Sequence, residues 1–150
     1  MITFEISDEL LKNWDILVVD DEPDSLEVAQ TILEMCGASV VTAINGKDGL
    51  EKALQLRPRF ILSDLSMPDM SGWQLVSALK KDARTRDIPV VALTAHAMQG
   101  DRELGFAAGF HNYLTKPLMP ETFIGNVLTL LLDVPSIAKD LESKKAEEHK

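Results

Sequence analysis

Four short apolar runs in this sequence stop at, or just before, a polar residue of a chemically useful kind. Ile16–Val19 runs into Asp20 and Asp21, and Phe60–Ser63 into Asp64. Pro89–Leu93 ends at Thr94, and Asn112-Tyr113-Leu114 is followed by Lys116. Were the first and third runs neighbours, three carboxylates would share one small pocket. Like charges that close resist ionisation unless a cation joins them. A ligand set made only of oxygen favours Mg²⁺, which binds through a few carboxylates and keeps some of its waters. A threonine hydroxyl and a lysine ammonium beside such an ion suit a phosphoryl group, the first as donor and the second as point charge. Each residue alone also has an ordinary reading. An Asp at a strand end caps a turn, Asp20-Asp21-Glu22 forms a solvated acidic edge, Thr94 caps a helix, and Lys116 is a surface lysine before a proline. It is their joint recurrence at four run ends that points to a metal–phosphoryl site.

The elements that must hold these residues follow from the apolar pattern. The runs at 16–19, 39–43, 60–63, 89–93 and 112–114 lack polar alternation and read as strands covered on both faces. Between them lie helical stretches. Leu26, Ala29, Leu33 and Cys36 mark the first, with Gly37 as its stop, and Leu50, Ala53 and Leu54 mark the second. Trp73, Leu75, Val76 and Leu79 mark the third, with Trp73 expected to bury against the sheet. A fourth is predicted over about 98–108, weakened by Gly100 and Gly105 at ~1 kcal/mol each relative to alanine. A fifth runs from about Pro120 to Leu132, stopped by Pro135. Alternating strands and helices predict a doubly wound α/β fold with a parallel sheet. In such sheets ligands bind beyond the carboxyl ends of the strands, where the polar markers fall.

Composition limits the function. The chain has 150 residues, the span of one ordinary domain, and 45% of them are hydrophobic. Its net charge of −9 argues against a general nucleic-acid surface or electrostatic docking on anionic lipid. Residues 1–24 hold eight carboxylates against the single Lys12. The lone Cys36 excludes an internal disulfide, and no Cys/His cluster resembles a zinc site. The acidic start is no secretory signal, and no stretch is apolar enough for a membrane span. A cytoplasmic protein is the expectation.

With these residues in view, the sequence resembles the receiver domain of two-component response regulators. The resemblance rests on ILVVDDEP (16–23), ILSDLSMPDMSG (61–72), VVALTAHA (90–97) and NYLTKPL (112–118), in order and spacing over about residues 15–132. It implies a (βα)5 three-layer sandwich, with a five-stranded parallel sheet in the flavodoxin-like order 2-1-3-4-5. The boundaries then fall at an N-terminal extension (1–14), a receiver domain (15–133), and a polar C-terminal tail or helix extension (134–150).

The resemblance also implies roles. Asp64 is the phosphoacceptor. Mg²⁺ (or Mn²⁺) is held by Asp21, Asp64 and the backbone carbonyl of Ser66, with Asp20 acting mainly through a bound water. Lys116 pairs with the phosphoryl oxygens, Thr94 swings toward them, and Tyr113 is the aromatic switch residue. Lys116-Pro117 matches a peptide bond that is usually cis in the family. Ser66 and His96 occupy the positions that tune decay of the acyl phosphate, although His96 also reads as an exposed loop histidine. Small Ala95 leaves the pocket open. The implied donors are a histidine kinase or a histidine phosphotransfer protein. The implied output is a downstream protein reached through the fourth helix, fifth strand and fifth helix, with a phosphorylation-linked homodimer as a further option and no direct DNA binding. Met1 favours a stand-alone regulator over the receiver of a hybrid kinase. The competing reading is a metal-dependent phosphohydrolase on the same fold. That reading wants a second Asp two residues after the first, where this chain has Ser66, and a cap insertion, for which its loops are short.

Overall fold

Each of the expected strands forms, and the register between them sets up the site. The computed structural model describes residues 7–95 and 108–148. In chain order the elements are β1 (Asp15–Val19), α1 (Pro23–Met35), β2 (Ser39–Ala43), α2 (Gly46–Leu56), β3 (Phe60–Asp64), α3 (Gly72–Lys81), β4 (Val90–Thr94), β5 (Asn112–Thr115), α4 (Pro120–Leu131) and α5 (Pro135–Glu148). His96, and Met98, Gly100 and Gly105 of the helix expected before β5, lie outside the described residues.

The sheet has five parallel strands in the order β2-β1-β3-β4-β5. After β1 the chain steps outward to β2, then crosses back to lay β3 on the other side. The β1/β3 border is therefore the switch point, where the loops diverge and leave a crevice. Val19 pairs with Ser63 across it, so Asp20 and Asp64, one residue further on, leave the sheet level with each other. Asp64 pairs with Leu93, and Thr94 with Thr115, which brings Thr94 and Lys116 to the same edge.

Successive strand residues face opposite ways, and the core divides accordingly. Ile16, Val18, Phe60, Leu62, Val91 and Leu93 pack against Ala29, Ile32 and Leu33 of α1 and Phe123, Ile124, Val127, Leu128 and Leu131 of α4. On the other face Leu17, Val19, Ile61, Val90 and Ala92 meet Ala53 of α2 and Leu75, Val76 and Leu79 of α3.

Three details depart from the sequence reading. The line α2 turns inward is Gly46, Gly49 and Ala53, with Leu50 and Leu54 half-buried. A Cβ at Gly49 would stand 2.9 Å from Val19 Cγ2, so helix and strand approach more closely than any side chain allows. Trp73 is also only half-buried, stacked edge-on to Phe110 with ring centroids 5.6 Å apart. The third detail concerns the chain ends. Residues 135–148 form a separate helix opened by Pro135, where a proline ring suits the first helical position. Its Ile137 and Leu141 are buried in the α1/α4 face of the core. Leu10, Leu11 and Trp14 join the same cluster, and Leu11 N–H donates to the Cys36 carbonyl at 2.7 Å. Arg59 ties these segments together. It lies 4.9 Å over the Trp14 ring, donates to the Ser136 carbonyl at 3.0 Å, and pairs with Asp140.

Candidate functional site

Asp20 continues β1 by one residue: its N–H donates to the Ala43 carbonyl at 3.0 Å, so its backbone is as fixed as the strand. Its side chain is fully buried, and Oδ1 accepts the Glu22 N–H at 2.9 Å. Asp21 is exposed at the rim. Asp64 ends β3 and is nearly buried, and its Oδ1 accepts the Leu65 N–H at 2.8 Å. The Ser66 N–H also donates to this carboxylate, while the Ser66 side chain faces solvent. Carboxylate oxygens of Asp20, Asp21 and Asp64 all lie within 4.8 Å of one another, so the three predicted acids do converge.

Lys116 reaches this cluster from the far side of the sheet. Its N–H donates to the Thr94 carbonyl at 2.7 Å, and the peptide bond to Pro117 is cis. Its side chain is only 8% exposed, with Nζ 2.9 Å from Asp20 Oδ2, 2.9 Å from Glu22 Oε1 and 3.4 Å from Asp64 Oδ2. Thr94 is buried at the end of β4. Tyr113 pairs with Ala92, two residues back along the strands, and lies half-buried against the α2/α3 face of the core.

Electrostatics follow from this crowding. Burial, and then the neighbouring Asp20 charge, push the Asp64 carboxyl up to about 6, against the opposing pull of Lys116 and the N–H groups of Ser66 and Leu65. For Lys116, burial favours the neutral amine, but bonds to Asp20 and Glu22 and the charges of Asp20 and Asp64 outweigh it and raise its pKa. One ammonium thus faces several carboxylates, and the pocket keeps an excess of negative charge.

The donor set suits a hard divalent cation. It offers carboxylate oxygens alone, and the buried Asp20 Oδ2 has the Lys116 ammonium 2.9 Å away as its charge partner.

Glu22 is the residue that sequence reasoning missed. Its place after Asp20-Asp21 hinted at proximity. Its pairing with Lys116, 94 residues away, exists only because the fold brings the loops after β1 and β5 together.

Residues 16–127 match the response regulator receiver domain family, which is most of the chain. Protein PilH of Pseudomonas aeruginosa is 38% identical over 116 residues, covering 77% of this chain and 96% of that protein. Among solved structures, the chemotaxis protein CheY4 of Vibrio cholerae superposes with a TM-score of 0.74 at 30% identity, over 79% of this chain and 98% of that one. The receiver domain of sensor histidine kinase PA1611 from Pseudomonas aeruginosa, solved with a magnesium ion coordinated in its active site cleft, gives 0.69 at 30% identity, over 79% and 94%.

The chain belongs to the response regulator receiver family. It is a receiver domain of two-component signalling, a family in which phosphorylation of an aspartate with Mg²⁺ is typical. Receivers are signalling proteins that interact with histidine kinases and downstream targets. Family membership favours the switch over the phosphohydrolase reading. No helix among the described residues is long and apolar enough to cross a membrane.

Proposed function

We propose that Asp64 accepts a phosphoryl group from the phosphohistidine of a histidine kinase or a histidine phosphotransfer protein. The observation that carries this reading is the position of its carboxylate: nearly buried at the end of β3, clustered with Asp20 and Asp21, and 3.4 Å from the Lys116 ammonium. An Asp64 oxygen attacks phosphorus, the P–O bond forms as the P–N bond breaks, and the freed imidazole leaves with a proton from solvent. Lys116 pairs with the transferring oxygens, and the Thr94 hydroxyl donates to them once the acyl phosphate has formed. Asp20, Asp21, Asp64 and the Ser66 carbonyl are the groups that would hold Mg²⁺ or Mn²⁺. When bound, the cation neutralises charge on the carboxylates and the phosphoryl oxygens. Water later attacks the acyl phosphate, and Ser66 and His96 tune that decay, so the chain acts on itself and turns over no outside substrate.

The proposed output is conformational. Movement of Thr94 toward the phosphoryl group frees space that Tyr113 fills, altering the surface made by residues 98–108, β5 and α4. Two arrangements a few kcal/mol apart suffice for such a switch. A downstream protein, or a second phosphorylated copy, reads that surface; DNA does not. The proposed setting is the cytoplasm, as a stand-alone regulator or the receiver of a hybrid kinase.

Intact-mass spectrometry after incubation with acetyl phosphate and Mg²⁺ tests the reading. The wild-type protein should gain one acid-labile, Mg²⁺-dependent phosphoryl group, and Asp64→Asn should gain none. Equal labelling of Asp64→Asn would overturn it.

A further inference from the structure

We infer that Glu22 is a positioning residue that holds Lys116 away from Asp64 until the phosphoryl group arrives. The inference rests on the assignment of Asp64 as phosphoacceptor. Charge-assisted hydrogen bonds run at about 2.7–2.9 Å. The Lys116 ammonium meets that distance at Asp20 and at Glu22, but stands 3.4 Å from Asp64. The cation that must serve the transferring oxygens is therefore held by two other carboxylates.

Glu22 is built to act as the releasable one of the two. Its backbone is fixed, because its N–H donates to Asp20 Oδ1 and its carbonyl accepts the Leu26 N–H at 3.2 Å. Pro23 follows as the first residue of α1. Glu22 occupies the N-cap position, yet its side chain caps nothing; it spans instead to Lys116. It is 61% exposed, whereas Asp20 is fully buried. Water screens the exposed Glu22 end of this pair, so it is the weaker of the two contacts. A phosphoryl group on Asp64 brings more charge into the buried pocket than Glu22 can offer from its rim. Lys116 then leaves Glu22 and keeps Asp20. Each phosphorylation breaks the Glu22 contact as the phosphoryl group arrives, and each loss of that group restores it.

Two substitutions separate this tether from a simple charge effect. Glu22→Asp keeps the charge but is one methylene too short for the present contact. Glu22→Ala removes both charge and reach, and no capping bond is lost in either. The readouts are the rate of labelling by acetyl phosphate at saturating Mg²⁺ and the chemical shifts of the Lys116 side chain in the metal-free, unphosphorylated protein. Both variants should label roughly two- to fivefold faster, the range an exposed ion pair spans. Both should also move the Lys116 signals by the same amount. A faster rate in Glu22→Ala alone would mean that Glu22 only repels the anionic donor, and the tether would be wrong. Unchanged rates and shifts in both variants would overturn it as well. Adding Asp64→Asn to each variant keeps the two ideas apart. Loss of labelling there leaves the phosphoacceptor assignment standing whatever the Glu22 result, and persistent labelling would refute the assignment itself.

Discussion

At the scale of single residues, the site is an electrostatic problem that the fold leaves unresolved without a cation. The Asp64 carboxyl, ordinarily near 3.8, is pushed up to about 6, chiefly by burial. The fold thus favours its protonated form, so the group contributes stability below its ordinary pKa and loses it as pH rises from 3.8 to about 6. Thermal melts of the metal-free protein should show the sign. Wild type should weaken across that window relative to Asp64→Asn, which has nothing to ionise there, and Mg²⁺ at neutral pH should close the gap. A wild-type curve parallel to that of Asp64→Asn would mean that the carboxylate is not held against its charge. The acids, the hydroxyl and the lysine were legible as residue types because each ends a buried strand. Glu22 was not, because its role depends on a partner 94 residues away.

At the scale of elements, close backbone approach is what delivers Asp64 to the crevice. A Cβ on Gly72, the first residue of α3, would lie 2.0 Å from the Asp64 carbonyl oxygen, and backbone cannot move aside as a flexible side chain can. The Gly72 N–H also donates to the Leu65 carbonyl at 3.0 Å, folding the loop back onto the strand that carries the acid. Gly72→Ala should therefore destabilise by roughly 1–3 kcal/mol, the usual cost of overpacking, and slow phosphorylation as well. Urea melts together with labelling rates would check both effects, and an unperturbed variant would show the loop to be slack. The strands were readable because unbroken apolar runs have few other uses in a chain of this length. The inner face of α2 was read as Leu50, Ala53 and Leu54, because apolar periodicity marks large side chains. There the packing selects absence of side chain, at Gly46 and Gly49, which periodicity does not score.

For the whole molecule, residues 10–14 and 137–141 meet at the edge of the core formed by α1 and α4, at the opposite end of β1 from the acids. Asp15, at the opposite end of β1, accepts the Arg59 N–H at 2.7 Å, and Arg59 also holds Trp14, Ser136 and Asp140. Ile137 is 1% exposed within that core. Ile137→Ala should cost about 2–5 kcal/mol, as large-to-small core changes do, while Asp64 still labels at the wild-type rate. Chemical denaturation read beside labelling would check this, and loss of labelling in the folded variant would mean that the helix shapes the site. Residues 135–148 could not be settled from sequence because their apolar signal is two buried positions in a helix that is half charged. Such a signal fits a tail, an extension of α4 or a docked helix equally well.

The most direct measurement is reduction of the labelled protein with borohydride. Borohydride converts an aspartyl phosphate to homoserine and leaves free carboxylates intact, and peptide mass spectrometry then locates the change. Homoserine should replace aspartate at position 64 alone, and only after incubation with both phosphodonor and Mg²⁺. Homoserine at position 20 or 21, or none in a protein that has gained a phosphoryl group, would contradict the account.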